Sequence, residues 1–472
     1  MGITRTINEH GPTHSRIFSM TRSMVLRALC LITLTVSFAV QGDMLIKNVH
    51  VFDGRSDTLS ENVDVLITGT TISRIAKDIS GTEDIVTIQG KGMTLMPGLI
   101  DNHVHLSLTG AGVHDMETNQ TWEDIAIASV AMAEMYLNFG FTTVRDMGGA
   151  NAGLQRAIDK GLISGPRVYP SAAIIGARGG HSDWAVFSSP PGQKSQVERL
   201  NMTAEVAGAD QVLAAARNNF RMGASQLKLM QTGGVASHFD PWQLNGLTKA
   251  EIAAAVQIAN DYQSYVGVHS YSKEAMLRAL RIGVKTIEHG FMFDKEIGQV
   301  MRKKGAYLVT NLTAFSPLLA NVAAVQNPKS ARKLKTAQAS FAGYIENVIK
   351  HQPKRGFNTD CVGDAFSCPR QITYEIYLNG HFFGNHRALV ALTSIGGEIA
   401  ALSGPLVNPY PDTKLGVIEE GATADLLLVD GNPLEDLGVI GADEKWFTAP
   451  EKDGVETIRI IMKDGVIHKN SL

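Results

Sequence analysis

The stretch "GLIDNHVHL", residues 98–106, sets His103 and His105 on either side of Val104 at the end of an apolar run. In an extended strand alternate side chains share a face, so both imidazoles point the same way. Two neutral imidazoles side by side are a pair of nitrogen donors for a transition metal. The same spacing also arises from unrelated half-buried histidines, so the pair alone decides nothing. Further donors end other short apolar runs: Lys228 in "SQLKLM", His269 in "YVGVHS", His289 in "TIEHG" and Asp360 in "RGFNTD". Lys228 alternates with Leu227 and Leu229, which argues for an interior position. Each residue is ordinary by itself; together they form a mixed nitrogen and oxygen donor set.

Such a set needs a scaffold that brings distant strand ends to one face. The middle of the chain alternates short apolar strands with helical stretches. The predicted strands are "LIDNHVHL", "FTTVRDM", "RVYPSAAII", "SQLKLM", "YVGVHS", "VKTIEHG", "AYLVTN" and "RGFNTD". Between them lie segments such as "TWEDIAIASVAMAEMYLNFG" and "TKAEIAAAVQIANDYQ", with apolar residues at helical spacing. Eight β/α units are the number that closes a TIM barrel, whose chemistry sits at the C-terminal ends of the strands. An open doubly wound sheet is the alternative, but no G-x-G-x-x-G opens a helix after the first strand. Both chain ends carry short alternating β-branched runs broken by Gly, Asp and Asn, as in antiparallel strands. The expected fold class is therefore α/β, a (β/α)8 TIM barrel with a small β-sandwich built from both chain ends. The expected boundaries are 1–42 for an N-terminal extension and signal peptide, 43–98 and 403–472 for the sandwich, and 99–402 for the barrel.

The 472 residues suffice for one large and one small domain, and 44% hydrophobic with 19% charged residues is a folded-protein composition. A net charge of −3 gives no electrostatic case for nucleic acid or an anionic membrane as partner. "MTRSMVLRALCLITLTVSFAVQG" places Arg22 and Arg27 before an apolar run from Ala28 to Val40 and then small residues, the order of a secretory signal peptide. That run is shorter than the roughly 20 residues of a spanning helix. Cleavage after Ala39 or Gly42 fits, and Met20 is a candidate start because the polar stretch before it reads poorly as a signal. The expectation is export, to a periplasm or the exterior, with no stable membrane anchor after cleavage. Cys30 would leave with the leader; Cys361 and Cys368 could bridge, which spacing does not decide.

The chain resembles the amidohydrolase superfamily of metal-dependent hydrolases over nearly everything after the leader. "PGLIDNHVHL" is similar to that family's first-strand signature, and "GVIEEGATADLLLVDGNPLEDL" to the return from barrel to sandwich. Within it, "QLKLMQTGGVASHFD", "VGVHSYSKEAMLRALRIGVKTIEHG" and "GARGGHSDW" resemble imidazolonepropionase-like enzymes, among them Xaa-Pro dipeptidases, Xaa-Arg/Lys carboxypeptidases and ochratoxin-hydrolysing amidases. The resemblance implies two divalent metal ions. His103, His105 and Asp360 match the ligands of one, His269 and His289 those of the other, and Lys228 matches a carboxylated lysine that bridges them. Relatives usually read like "AFGTD" where this chain has "RGFNTD"; the aspartate is kept.

General chemistry agrees with that implication. A neutral Lys228 amine can add carbon dioxide to give an anionic carbamate, which nearby cations favour. Paired metals about 3.5–4 Å apart can hold a bridging hydroxide near neutral pH. Asp360 is then the general base that takes its proton and the acid that protonates a leaving nitrogen. Zinc suits the His-rich set best, with Mn and Fe as alternatives.

For the substrate, the expectation is a small amide: a dipeptide or an N-acyl amino acid with a free carboxylate. "GARGGHSDW" should hang over the barrel mouth, where Arg178 and His181 could pair with that carboxylate; the alternative for Arg178 is an internal ion pair with Asp183. Tyr271, two residues beyond His269, either donates to the substrate carbonyl or is a core tyrosine. The polar connection 186–208 is of the kind that forms lids or binding loops. Other readings are a cyclic-amide, imidazolone-type or deaminase activity, or an inactive metal-binding scaffold, which missing ligands would mark; none is missing. A homo-oligomer is compatible with the sequence.

Overall fold

The computed structural model describes residues 43–81, 84–109, 113–190, 192–237, 239–322 and 325–472. The signal-peptide reading falls outside the described residues. Among those described, no helix is long and apolar enough to cross a membrane.

The chain opens with β1 (Met44–Val51), β2 (Ser60–Thr68), β3 (Thr71–Ala76), β4 (Val86–Gln89) and β5 (Thr94–Pro97), and closes with β16 (Leu426–Val429), β17 (Ile458–Lys463) and β18 (Val466–Asn470). These form one eight-stranded sheet in the order β18-β17-β16-β5-β1-β2-β3, with β4 pairing β1. The two ends of the chain join where β16 runs antiparallel to β5, Leu427 opposite Met96. Alternating residues such as Ile46, Val65, Ile67, Leu428 and Ile460 give this sheet its own buried core.

Between the ends lie β6 (Leu99–Val104), β7 (Phe141–Asp146), β8 (Arg167–Tyr169), β9 (Ile174–Ala177), β10 (Thr203–Val206), β11 (Leu227–Met230), β12 (Val266–Ser270), β13 (Thr286–His289), β14 (Tyr307–Val309) and β15 (Arg355–Gly356). All pair in parallel, as a ladder β6-β7-β8 and a ladder β10-β9-β11-β12-β13-β14-β15. Single backbone bonds link the two. Asn102 N–H donates to Phe357 O at 3.0 Å and Asp360 N–H to His103 O at 3.0 Å; on the other side Ser225 N–H donates to Pro170 O at 2.7 Å. The expected third strand, "RVYPSAAII", is in fact two. Pro170 has no N–H for a ladder, and Ala172 takes a left-handed φ of 57°. Its first half, β8, pairs β7, and its second half, β9, pairs β11. With β8 and β9 as one broken strand, the circuit is the eight-membered TIM barrel.

Outward residues of the strands (Leu227, Leu229, Val268, Ile287, Leu308) share one core with helix residues such as Ile252, Leu280 and Met301. Local signals set those helices. The helix Lys249–Asp261 starts at a capping box, where Thr248 N–H donates to Glu251 Oε2 at 2.7 Å and Glu251 N–H to Thr248 Oγ1 at 3.3 Å. The helix Lys295–Lys304 begins at Asp294 and stops at Gly305, φ 59°, with Arg302, Lys303 and Lys304 in its last turn. The connection 186–208 is more ordered than its polar sequence suggests: it holds the short helix Gln196–Arg199 and β10, which extends the sheet beside β9.

Candidate metal centre

Every residue of β6 is buried, and alternation carries His103 and His105 to the barrel mouth on one side. Their rings lie 5.1 Å apart. Asp360, which follows β15, reaches them across the seam that closes the barrel. Its Oδ1 is 3.2 Å from His105 Nε2 and 3.5 Å from His103 Nε2. Among the described residues these three offer ligand atoms within 4.8 Å of one another, the one such grouping able to share an ion.

The other predicted ligands close around this group. Lys228, fully buried on β11, has Nζ 3.2 Å from His103 Nε2. The His289 ring lies 5.2 Å from that of His103 and 4.6 Å from that of His269. Strict alternation along β13 would send His289 outward with Ile287. A left-handed backbone, φ 69°, turns it over the mouth instead, and Asp360 takes φ 47°. Holding a non-glycine residue there costs about 1–3 kcal/mol, so the fold is strained at two of the residues the donor set needs.

Hydrogen bonds fix which ring nitrogen of each histidine faces the centre. His103 Nδ1 donates to Glu288 Oε2 at 2.8 Å, His105 Nδ1 to Gly148 O at 3.2 Å and His289 Nδ1 to Asn311 Oδ1 at 2.8 Å, each leaving Nε2 open. His269 is the reverse, with Nε2 donating to Gly233 O at 3.2 Å and Nδ1 open. Neutral imidazoles with one nitrogen anchored and the other free are what a metal requires.

Electrostatics point the same way. Burial holds His103 and His269 well below the usual imidazole range, and nearby cationic groups add to it. Burial brings Lys228 down to about 8, although Glu288 and Asp360 pull against it. For Asp360 burial alone would raise the carboxyl, but the facing His105, His289 and Lys228 side chains outweigh it and hold the carboxyl below its usual range. Neutral imidazoles, a deprotonable amine and an ionised carboxylate fit a divalent metal centre.

Of the expected substrate residues, two adjoin this cluster. The His181 ring packs 4.4 Å from that of His269, with Nδ1 3.8 Å from Asp240 Oδ2. A side chain on Gly234 would strike that ring, since a Cβ there would fall 1.9 Å from it. Tyr271 stacks on Phe291 at 4.2 Å and lies 4.5 Å from His269. Arg178 is held elsewhere. Its side chain is 51% exposed and pairs with Glu205 at 3.4 Å, not with Asp183, which accepts from Gly179 N–H. In this structure Arg178 thus faces Glu205 and stands apart from the His103–His105–Asp360 cluster.

Sequence reasoning missed the groups beneath the ligands: Arg145 and Glu288 inside the barrel, Asn311 behind His289, and Asp146, which accepts from Leu106, Gly148 and Ala150 N–H. The signal was present in "TTVRDM" and "TIEHG", where opposite charges sit inside otherwise apolar strands.

Cys361 and Cys368 form a disulfide directly after Asp360, both buried. It ties the Asp360 segment to the helix Cys368–Phe383. Closing so short a loop is worth about 2 kcal/mol. Cys361→Ser with Cys368→Ser should therefore lower Tm by a few degrees in a thermal melt; an unchanged Tm would show that the bridge does not constrain the fold.

Residues 94–467 match the sequence profile of the amidohydrolase family. The chain is 26% identical over 358 residues to ochratoxinase of Aspergillus niger, a span of 73% of this chain and 72% of that protein. It is similar to the crystal structure of a prolidase complexed with N-methylphosphonate-L-proline, with TM-score 0.81 and 32% identity over 91% of this chain and 100% of the other. It is also similar to a Xaa-Pro dipeptidase with bound methionine in the active site, with TM-score 0.75 and 27% identity over the same shares.

Proposed function

The chain belongs to the amidohydrolase family, and from that premise we propose that it hydrolyses the amide bond of a dipeptide or N-acyl amino acid bearing a free carboxylate. The observation that carries this reading is the meeting of His103, His105 and Asp360 at the barrel mouth, with Lys228, His269 and His289 around them. Likeness to a prolidase, a Xaa-Pro dipeptidase and ochratoxinase supports an amide bond as the target.

Two divalent ions, zinc by donor type, would be held by His103, His105 and Asp360 and by His269 and His289, with Lys228, once carbamylated, adding an anionic oxygen donor. When bound, such ions bring the pKa of water towards about 7 and polarise a carbonyl. The chain's own groups do the rest. Burial holds Lys228 below the usual ammonium range, so its neutral amine is available to add carbon dioxide, with one proton released. Asp360, ionised at any moderate pH, takes the proton of the attacking water on a carboxylate oxygen and passes it to the leaving nitrogen, which is a poor leaving group unless protonated. Burial holds the Tyr271 phenol above its usual range, so it stays protonated. Its O–H is the group offered to the substrate. His181, beside His269, orients the substrate carboxylate. Export through the leader is part of the proposal, and a disulfide beside Asp360 is in keeping with an oxidising compartment.

The test is a panel of dipeptides, N-acyl amino acids, their methyl esters and cyclic amides. Converting the free carboxylate to its ester should lower kcat/KM by more than tenfold, about 1.4 kcal/mol of transition-state binding, and His181→Ala should shrink that difference. Equal rates on acid and ester, or a preference for cyclic amides, would refute the substrate and leave the family standing.

A further inference from the structure

Below the donor cluster the barrel interior holds a charged pair with no solvent contact. Glu288 on β13 is 0% exposed and Arg145 on β7 is 1% exposed. Arg145 Nη2 donates to Glu288 Oε1 at 3.0 Å and to Oε2 at 2.8 Å. Its Nη1 donates to Tyr265 Oη at 3.2 Å and Thr286 Oγ1 at 3.1 Å, and its Nε to Asn102 O at 2.5 Å. Thr286 Oγ1 in turn donates to Glu288 Oε1 at 2.5 Å. Every donor of the guanidinium fork faces a barrel group, and Glu288 Oε2 still faces His103 Nδ1 at 2.8 Å.

An ion pair this deep is weak evidence of stabilisation, because desolvation offsets most of its attraction. What it does well is fix geometry. A carboxylate that already accepts two bonds from Arg145 can only accept from His103, which forces the proton onto Nδ1 and turns the Nε2 lone pair to Lys228 and Asp360. The sequence also keeps space for this carboxylate. Gly267 on β12 lies alongside, and a Cβ there would fall 2.9 Å from Glu288 Oε1, 2.5 Å from Thr286 Oγ1 and 2.7 Å from Met147 Cε. A strand interior ordinarily disfavours glycine, so its presence in "YVGVHS" is accounted for by the room the pair needs.

We infer that Arg145 and Glu288 are a positioning pair for the metal centre: Glu288 locks His103 as the Nδ1–H tautomer and raises its donor strength, and Arg145 holds Glu288 in place and neutralises it. This rests on the metal-centre reading above. Neither residue touches substrate; both act through His103.

The experiment uses the full chain, loaded with Zn2+ and titrated against a chromophoric chelator, and separately with Co2+ for its visible spectrum. Glu288→Gln keeps the shape of the side chain but cannot face both Arg145 and His103 as an acceptor. It is expected to weaken Zn2+ affinity by about 10–100-fold and to shift the Co2+ bands. Arg167→Met breaks a comparably buried ion pair with Asp425, set against the terminal sheet; it should lower Tm with Zn2+ affinity and Co2+ bands unchanged. If Glu288→Gln lowers Tm alone, with affinity and spectrum as in the unaltered protein, the pair is merely structural and the inference falls. If Glu288→Gln does not fold, Gly267→Ala takes its place, since it crowds the carboxylate without removing it. Weakened metal binding supports the inference and wild-type affinity overturns it. An unaltered protein that binds no Zn2+ overturns this inference and the metal-centre reading together.

Discussion

Asp360→Asn is expected to lower kcat by about 10²–10⁴-fold, the span of a lost general acid–base, in a protein that remains folded. The substitution is informative because of where Asp360 stands. Its backbone is left-handed, φ 47°, a conformation that asparagine tolerates as well as aspartate does. Its side chain is 27% exposed, so no tight packing is disturbed, and the Asp360 N–H bond to His103 O that helps close the barrel involves no side chain. An amide oxygen can still face His105 and His103, but it cannot hold a proton at moderate pH. The loss should therefore appear in kcat while Tm and far-UV circular dichroism stay close to the original. A kcat within tenfold of the unaltered enzyme would place the proton transfer on another group. Bound metal measured on the same sample separates the two tasks of this residue: full metal content with lost turnover marks proton transfer, and lost metal marks coordination.

How much of this was legible beforehand differs from residue to residue, for physical reasons. Period-two alternation and turn residues exposed the barrel strands, because a strand packed against helices on one side must show apolar residues at every second position. His103, His105 and Lys228 were legible for the same reason. His289 was legible as the end of an apolar run and through the family resemblance, because alternation alone sends it outward and only its left-handed backbone, φ 69°, brings it back. Glu288 and Arg145 stand 143 residues apart, and no local pattern pairs one buried charge with another at that distance. The ion-pair partner of Arg178 was illegible for another reason. A cation near several carboxylates has its partner settled by side-chain reach in three dimensions, and Glu205 on β10 lay in a stretch read only as a polar connection. Pro170 marks the break in the third strand, which is read from sequence as continuous; its consequence, one strand serving two neighbours in turn, depends on Ala172 adopting φ 57°.

Removing metal is expected to abolish activity, and re-adding Zn2+ to restore it. Elemental analysis of the purified protein should find about two divalent ions per chain. The prediction rests on the cluster: four imidazoles, an amine and a carboxylate gather at the barrel mouth, with ring separations of 4.6–5.2 Å between His103 and His105, His103 and His289, and His269 and His289. His103 and His269 are held well below the ordinary imidazole range by burial first and by neighbouring cationic groups second. Each therefore stays neutral, and able to bind, to a more acidic pH than a free histidine would. Protons compete with metal only once the pH falls through those lowered values, so acid should release the ions only below the ordinary imidazole range, measured as Zn2+ freed to an indicator. His289→Ala removes one open nitrogen, and with it the Asn311 contact that fixes it; it should reduce the bound metal towards one per chain and cut turnover severely. His114→Ala is the contrast. His114 is exposed on the short helix Val113–Thr118 and has no part in the cluster, so metal content and rate should both be retained. Binding should also be visible without any substrate. A metal at one hundred times its Kd stabilises the fold by about 2.7 kcal/mol, so Tm should climb as Zn2+ is returned to the stripped protein and climb less in His289→Ala. Full activity after complete chelation, or equal and mild losses in His289→Ala and His114→Ala, would show that the residues brought together at the barrel mouth are not metal ligands.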